Sequence, residues 1–209
     1  MSTAENAKRI VVFGAGGRAG RAVVEEARRR GHDVVPVVRD PSKYADLPGA
    51  VSGDVTDVAD VERLSQGSDA VVAAVYDHGT DSADLFRKSA QALVDGARSR
   101  LLWVGLASIL PAASGGRLMD EPGYPQEYRS FYLAHAGAIE IFEASALDWI
   151  SVAPAGDFDH RHPARTGSYT LSPGNAAARI SYADLAVALV DELERPRHRR
   201  ALLGFAAEE

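Results

Sequence analysis

The 209-residue chain contains no cysteine. Disulfides, thiolate nucleophiles and thiolate metal sites are therefore excluded. It also contains no lysine beyond Lys88, so no tyrosine after that point can have a lysine one helical turn later. No apolar run approaches the ~20 residues needed to cross a bilayer, and no membrane association is expected. Positive charge is in the minority. The net charge of −6 disfavours a nucleic-acid-binding surface, which is normally basic. The opening MSTAENAKR is short and polar and does not resemble a signal peptide, so a cytoplasmic protein is expected. Repeats, low-complexity tracts and a domain boundary are also missing, and the length suits one domain over 1–209. What remains is ordinary globular composition, 46% hydrophobic and 25% charged.

Apolar, β-branched runs alternate with helical patterns. Strands are expected at Ile10–Phe13, Val34–Val38, Ala50–Ser52, Ala70–Val75, Leu101–Gly105, Trp149–Ala153 and Ala201–Ala206. Helices are expected at Arg18–Arg30, ending at Gly31, after a cap at Thr56 or Asp57, and at Asp84–Ala97, Tyr128–Ala144 and Ile180–Leu193. The last of these places Asp184 and Asp191 on its polar face. Near-continuous apolar strands separated by helices predict an α/β fold: a doubly wound parallel sheet covered on both faces. Two long stretches, about 107–127 and 155–175, are expected to be loops that form a substrate pocket. They follow strand carboxyl ends, where open α/β sheets bind ligands. A short strand at Ser168–Leu171 interrupts the second.

Gly14, Gly17 and Gly20 form a GxxGxxG pattern between the first strand and the first helix, in the segment Gly14-Ala15-Gly16-Gly17-Arg18-Ala19-Gly20. Gly14 permits a sharp turn, Gly17 bares the backbone to a pyrophosphate, and Gly20 lets the helix pack on the strand. The helix N-terminus offers free N–H groups and a positive dipole end. Arg39 closes the second strand, where dinucleotide folds place the residue that reads the ribose. An acid there suits the 2′-hydroxyl of NAD. Arginine suits the 2′-phosphate of NADP, with Lys43 assisting and Arg18 stacking on adenine or reaching the same phosphate. Asp40 follows directly and works against this reading. The cofactor expected is NADP(H) in preference to NAD(H).

Together VVFGAGGRAG, VVRDPSK, GDVTD, DWISVAPA, RTGSY and ISYADLAVALVDELERP resemble the atypical short-chain dehydrogenase/reductase superfamily. The resemblance covers nearly the whole chain. It is closest to the single-domain NAD(P)H-binding group of NmrA-like proteins and flavin/biliverdin-IX-beta reductases. It implies a Rossmann-like fold with one dinucleotide in the sheet crevice. It also implies that Asp54 and Val55 flank the adenine, that Ala73, Ala74 and Val75 line the ribose and diphosphate, and that Pro154 and Ala155 sit near the nicotinamide. Asp54 has a second reading, as the start of a turn into the next helix.

The superfamily's usual Tyr-x-x-x-Lys pair is absent. Tyr132 is followed four residues later by Ala136, and Tyr128 by Tyr132. Without the lysine, a tyrosine keeps a pKa of ~10 and is a poor base at neutral pH. The remaining catalytic candidates are Ser108, Tyr132 and His135. Ser108 is placed to hydrogen-bond a substrate carbonyl or to satisfy its own loop. Tyr132 serves as pocket wall or core. His135 is an acid or base near neutrality, or a buried histidine. Asp157, His160 and His162 lack a complete ligand pattern, so no metal is expected there and they are read as pocket residues. Arg165 is read as an anion-binding residue or a structural cap. The run ERPRHRR is read as a helix end.

An intact cofactor turn without a proton-relay pair points to a reductase. Hydride transfer to a flavin, quinone or similar conjugated acceptor needs orientation more than a strong acid. The alternative is a non-catalytic sensor of NADP redox state, of NmrA-like type. A third reading, an isomerase or dehydratase with tightly held NAD, requires a base, for which His135 is the candidate.

Overall fold

The computed structural model describes residues 7–208, so the polar opening segment as far as residue 6 lies outside the described residues. β1 (Arg9–Phe13) leads through the glycine turn into α1 (Arg18–Arg29) and β2 (Asp33–Val38). Gly31, at φ 87°, ends α1 in a conformation that glycine adopts without strain. β3 (Val51–Ser52) precedes α2 (Val58–Ser65), whose cap is Asp57: its carboxylate accepts the N–H groups of Ala59 and Asp60. β4 (Ala70–Ala73), α3 (Ser82–Gly96), β5 (Arg100–Val104), α4 (Arg129–Ala144) and β6 (Trp149–Pro154) follow. The chain ends with β7 (Asp157–Phe158), β8 (Thr170–Leu171), β9 (Arg179–Ile180), α5 (Tyr182–Glu194) and β10 (Ala201–Ala206).

The main sheet runs β3-β2-β1-β4-β5-β6-β10-β8, and β7 and β9 form a separate parallel pair. Pairing is parallel from β3 to β10, while β8 joins β10 antiparallel. The chain moves outward from β1 to β2 and β3, then crosses back to β4. The crevice between β1 and β4 is therefore the topological switch point.

The central strands are buried on both faces, as their unbroken apolar sequence requires. On one face Ile10, Val12, Val72 and Ile150 pack against Val23 and Ala27 of α1 and Leu185 and Leu189 of α5. On the other, Val11, Phe13, Leu101 and Trp103 meet Val61 of α2, Phe86 and Leu93 of α3, and Ile139 and Phe142 of α4. Each such aliphatic side chain contributes about 1.5–3 kcal/mol of burial.

A charged cluster joins α1 to α5 at the surface of the first face. Glu26 is 3% exposed and receives Arg29, Arg30 and Arg165, and Arg30 continues to Asp191 and Glu194. Burial pushes the Glu26 carboxyl up, but hydrogen bonds from Arg29, Arg165 and Arg30 outweigh it and hold it at about 2. Asp184 corrects the expectation of a polar-face residue. It is 2% exposed and accepts the N–H groups of Thr166 and Gly167. This bond and the Arg165–Glu26 pair pin the segment 155–175 to the two helices, and Arg165 is occupied as a structural brace.

Candidate functional site

A cleft of about 960 Å³ opens at the carboxyl ends of β1, β2, β4 and β5. Its first wall is the glycine turn. Gly14 has φ 76°, and a Cβ there would collide with the carbonyl oxygen of Ala74. A Cβ at Gly20 would collide with the carbonyl oxygen of Gly14, so these two glycines hold helix and strand in close approach. Gly17 is different: a Cβ there would meet only the Gly14 oxygen, at 3.5 Å. Its space is open to the cleft, as a cradle for a phosphate requires.

Gly17 is also the N-cap of α1. It supplies no side-chain cap, and the first turn holds no acid. The first intrahelical bond is Arg21 N to Gly17 O, 2.9 Å, leaving the N–H groups of Arg18, Ala19 and Gly20 outside the helical ladder. These donors and the helix dipole suit a pyrophosphate, so the residues present fit a dinucleotide. Arg18, Ala19, Arg39, Asp54, Val55, Ala74 and Val75 all border the cleft. Asp54 does so while also making its turn, accepting the N–H and hydroxyl of Thr56 at 2.8 Å each. Tyr44 covers Gly16, and Arg21 lies over its ring, 5.7 Å from the centroid.

Arg39 is 65% exposed and paired with Asp77, Nη1 to Oδ2 2.8 Å. Asp77 also accepts the N–H of Gly79 at 2.9 Å and the hydroxyl of Thr80 at 3.0 Å. The Gly79, Arg39 and Thr80 hydrogen bonds hold its carboxyl at about 2.

The far wall is aromatic. Tyr76 and His78 follow β4, Phe86 stands on α3, Phe131 and His135 on α4, and Phe158 and Tyr182 close the opposite side. Tyr76 meets Phe131 edge-on at 5.7 Å, Phe131 meets Phe86 at 5.5 Å, and Phe86 meets the His135 ring at 4.5 Å. Phe158 stacks on Tyr182 at 3.7 Å. None of these except His135 carries a local sequence signal. They come from separate segments, and only the folded sheet brings them together.

Of the two readings of His135, the structure shows the buried histidine and not an acid or base near neutrality. Its side chain is 4% exposed, and burial lowers its pKa to about 4. The indole N–H of Trp103 can only donate, so Nδ1 accepts it, at 3.5 Å, and the proton of the neutral ring sits on Nε2. At neutral pH the ring can donate a hydrogen bond but has no acidic proton to give.

Several other candidates fall outside the cleft lining. Tyr132 is buried, edge-on to Tyr124 at 5.5 Å, and its pKa is raised chiefly by burial. Its ring belongs to the buried core. The Ser108 hydroxyl is fully buried and has no hydrogen-bond partner among the described residues. Ala15 and Ala73 are buried in the core, and Pro154 completes β6. Lys43 turns instead to Asp40, 3.6 Å away. The stretch 107–127, expected to form pocket, packs on the core through Ile109, Leu110, Leu118 and Met119, and none of it borders the cleft. From 155–175 only Phe158 does. Asp159 caps its own turn through Arg161 N and His162 N, and His162 Nδ1 lies 3.0 Å from its Oδ2. Among the described residues, no three His, Asp or Glu side chains are placed to hold a metal.

Among the described residues no helix is long and apolar enough to cross a membrane. The model of an NAD(P)H-binding family matches residues 14–196. The YwnB protein of Bacillus subtilis is 34% identical over 218 residues, covering 96% of this chain and 99% of that protein. A candidate NADH-flavin reductase of Streptococcus pneumoniae has the same fold, with TM-score 0.83 and 31% identity over 97% of this chain and 100% of its own. A candidate epimerase of Bacteroides thetaiotaomicron gives TM-score 0.81 and 30% identity over 97% and 98%. The chain belongs to the NAD(P)H-binding family, within the atypical short-chain dehydrogenase/reductase group that its motifs resemble.

Proposed function

We propose that the chain is an NADPH-dependent reductase that delivers hydride to a planar conjugated acceptor, a flavin or quinone, without a Tyr-x-x-x-Lys pair. The observation that carries this reading is the division of one cleft. A phosphate cradle with two arginines lies at one end, and an aromatic wall, whose His135 is held neutral by burial, lies at the other. A bound NADPH supplies the hydride.

The protein's own contribution is placement. Backbone N–H groups after Gly17 hold the pyrophosphate, and Arg18 and Arg39 take the adenosine phosphate. The rings of Tyr76, Phe131 and Phe86 offer faces and edges to a flat acceptor and exclude water. The Nε2–H of neutral His135 donates to an acceptor oxygen or ring nitrogen, stabilising charge that builds there. The reduced acceptor takes its proton from solvent after it leaves the aromatic wall, so no tyrosine relay is needed. Both Ser108 and Tyr132 have at most a supporting role in this scheme, behind the cleft wall.

Two relatives carry different names, a reductase and an epimerase. An epimerase needs a base poised near neutrality, and a histidine held at about 4 makes a poor one. That favours the reductase. The test follows nicotinamide absorbance with pure protein, NADPH or NADH, and a panel of flavins and quinones. Oxidation well above the protein-free rate, faster with NADPH, is expected. Thermal stabilisation by NADPH without oxidation of any acceptor would favour the redox sensor instead.

A further inference from the structure

We propose that Asp77 sets nucleotide selectivity: its carboxylate opposes the 2′-phosphate at Arg39 and offers an acceptor to an unphosphorylated ribose. The inference rests on the reading of Arg39 as the residue that meets the 2′-phosphate.

Arg39 follows β2 directly, and Asp77 lies four residues beyond β4. These strands flank β1 on its two sides. The 2.8 Å ion pair therefore joins the two rims of the cleft across the carboxyl end of β1, beside the glycine turn. The two partners are not equally free. Asp77 is 21% exposed and is held by Gly79 N and Thr80 Oγ1 as well as by Arg39. Arg39 is 65% exposed. When a 2′-phosphate binds the guanidinium, Arg39 is the group that moves, and Asp77 stays where its loop holds it. Asp77 then faces an anion of higher charge across a short gap, and part of the arginine's attraction is cancelled.

A ribose 2′-hydroxyl meets the opposite situation. It donates a hydrogen bond, and a fixed carboxylate accepts one, which is the role played by the acid that ends β2 in NAD-selective folds. This chain has arginine at that strand end and supplies the carboxylate from across the cleft. Each group thus serves a different nucleotide, and the pair between them grades the preference instead of making it absolute.

The test measures dissociation constants of NADPH and NADH for wild type, Asp77→Asn, Asp77→Ala and Arg39→Ala. Asparagine keeps an oxygen for Gly79 N and turns an amide N–H toward the Thr80 hydroxyl, while removing the charge. Alanine removes both. In both Asp77 variants the preference for NADPH over NADH should rise roughly three- to tenfold, from tighter NADPH and weaker NADH binding. An unchanged or reduced preference in Asp77→Asn overturns the inference. So does a shift in Asp77→Ala alone, because loop capping would then be the cause. If Arg39→Ala weakens NADPH selectively while Asp77→Asn changes nothing, the cofactor reading stands and this inference falls. If Arg39→Ala weakens both nucleotides equally, or the wild type binds neither, both fall.

Discussion

The two ends of the cleft are built by opposite means. The end beside β1 and β2 uses backbone: three glycines, an uncapped helix and two arginines within one continuous stretch of chain. The end beyond β4 uses side chains from the β4 loop, α3, α4, β7 and the start of α5. A backbone cradle tolerates no side chain and recognises a fixed chemical group. An aromatic wall tolerates many side chains and recognises a shape. A ligand common to a whole family suits the first construction, and an acceptor that varies between members suits the second.

Variants at the glycines separate fold from binding most strongly. Gly14→Ala places a Cβ against Ala74 at a positive φ, and should cost on the order of 3 kcal/mol or more in denaturant unfolding. Gly17→Val places its side chain in open space. It should keep the melting temperature near that of wild type while weakening NADPH and NADH alike by at least about tenfold in calorimetric titration. Equal destabilisation by the two would remove the distinction between packing glycines and the phosphate cradle.

Glu26→Gln sharpens the contrast between structural and ligand-facing charge. It leaves Arg30 and Arg165 short of a buried partner, and should cost about 3 kcal/mol without changing nucleotide affinity. The wild-type Glu26 carboxyl is lowered in the fold to about 2. Its contribution to stability is therefore complete above about 4.5 and lost as pH falls toward 2. Arg39→Ala sits at the ligand end, and should weaken NADPH about tenfold and NADH much less, with stability unchanged.

The smallest effect concerns His135. Its folded pKa of about 4 lies below the ordinary histidine value near 6.5, so the unfolded chain binds the proton first on acidification. Stability should fall between those two values in wild type, and less steeply in His135→Gln. His135 should add no inflection to turnover between roughly pH 6 and pH 8, because its ring remains neutral throughout. A rate change with an apparent pKa near neutrality that vanishes in His135→Gln would restore an acid–base role.

The same contrast explains what could be read in the sequence. The strand and helix order was legible because each element writes its own period and caps: Asp57 begins α2, Gly31 ends α1, and Ala201–Ala206 spans β10. The glycine turn and Arg39 were legible because one short segment contains the whole motif. Phe86, Phe131, Phe158 and Tyr182 were not, because an aromatic on an amphipathic helix looks the same whether it faces core or cleft. Likewise Asp77 was hidden, since its meaning depends on Arg39, which lies two strands away across the sheet. The loop 107–127 looked like a pocket former from its glycines and prolines, yet its buried Leu110, Leu118 and Met119 give it a packing role.

The division of the cleft is tested most directly by steady-state kinetics of Gly17→Val and Phe131→Ala beside wild type, with NADPH and the best flavin or quinone each varied in turn. The account predicts separation: Gly17→Val raises KM for NADPH and leaves that of the acceptor, while Phe131→Ala raises KM for the acceptor and leaves that of NADPH. Movement of the same parameter by both variants, or wild-type turnover no faster than the protein-free reaction, would contradict it.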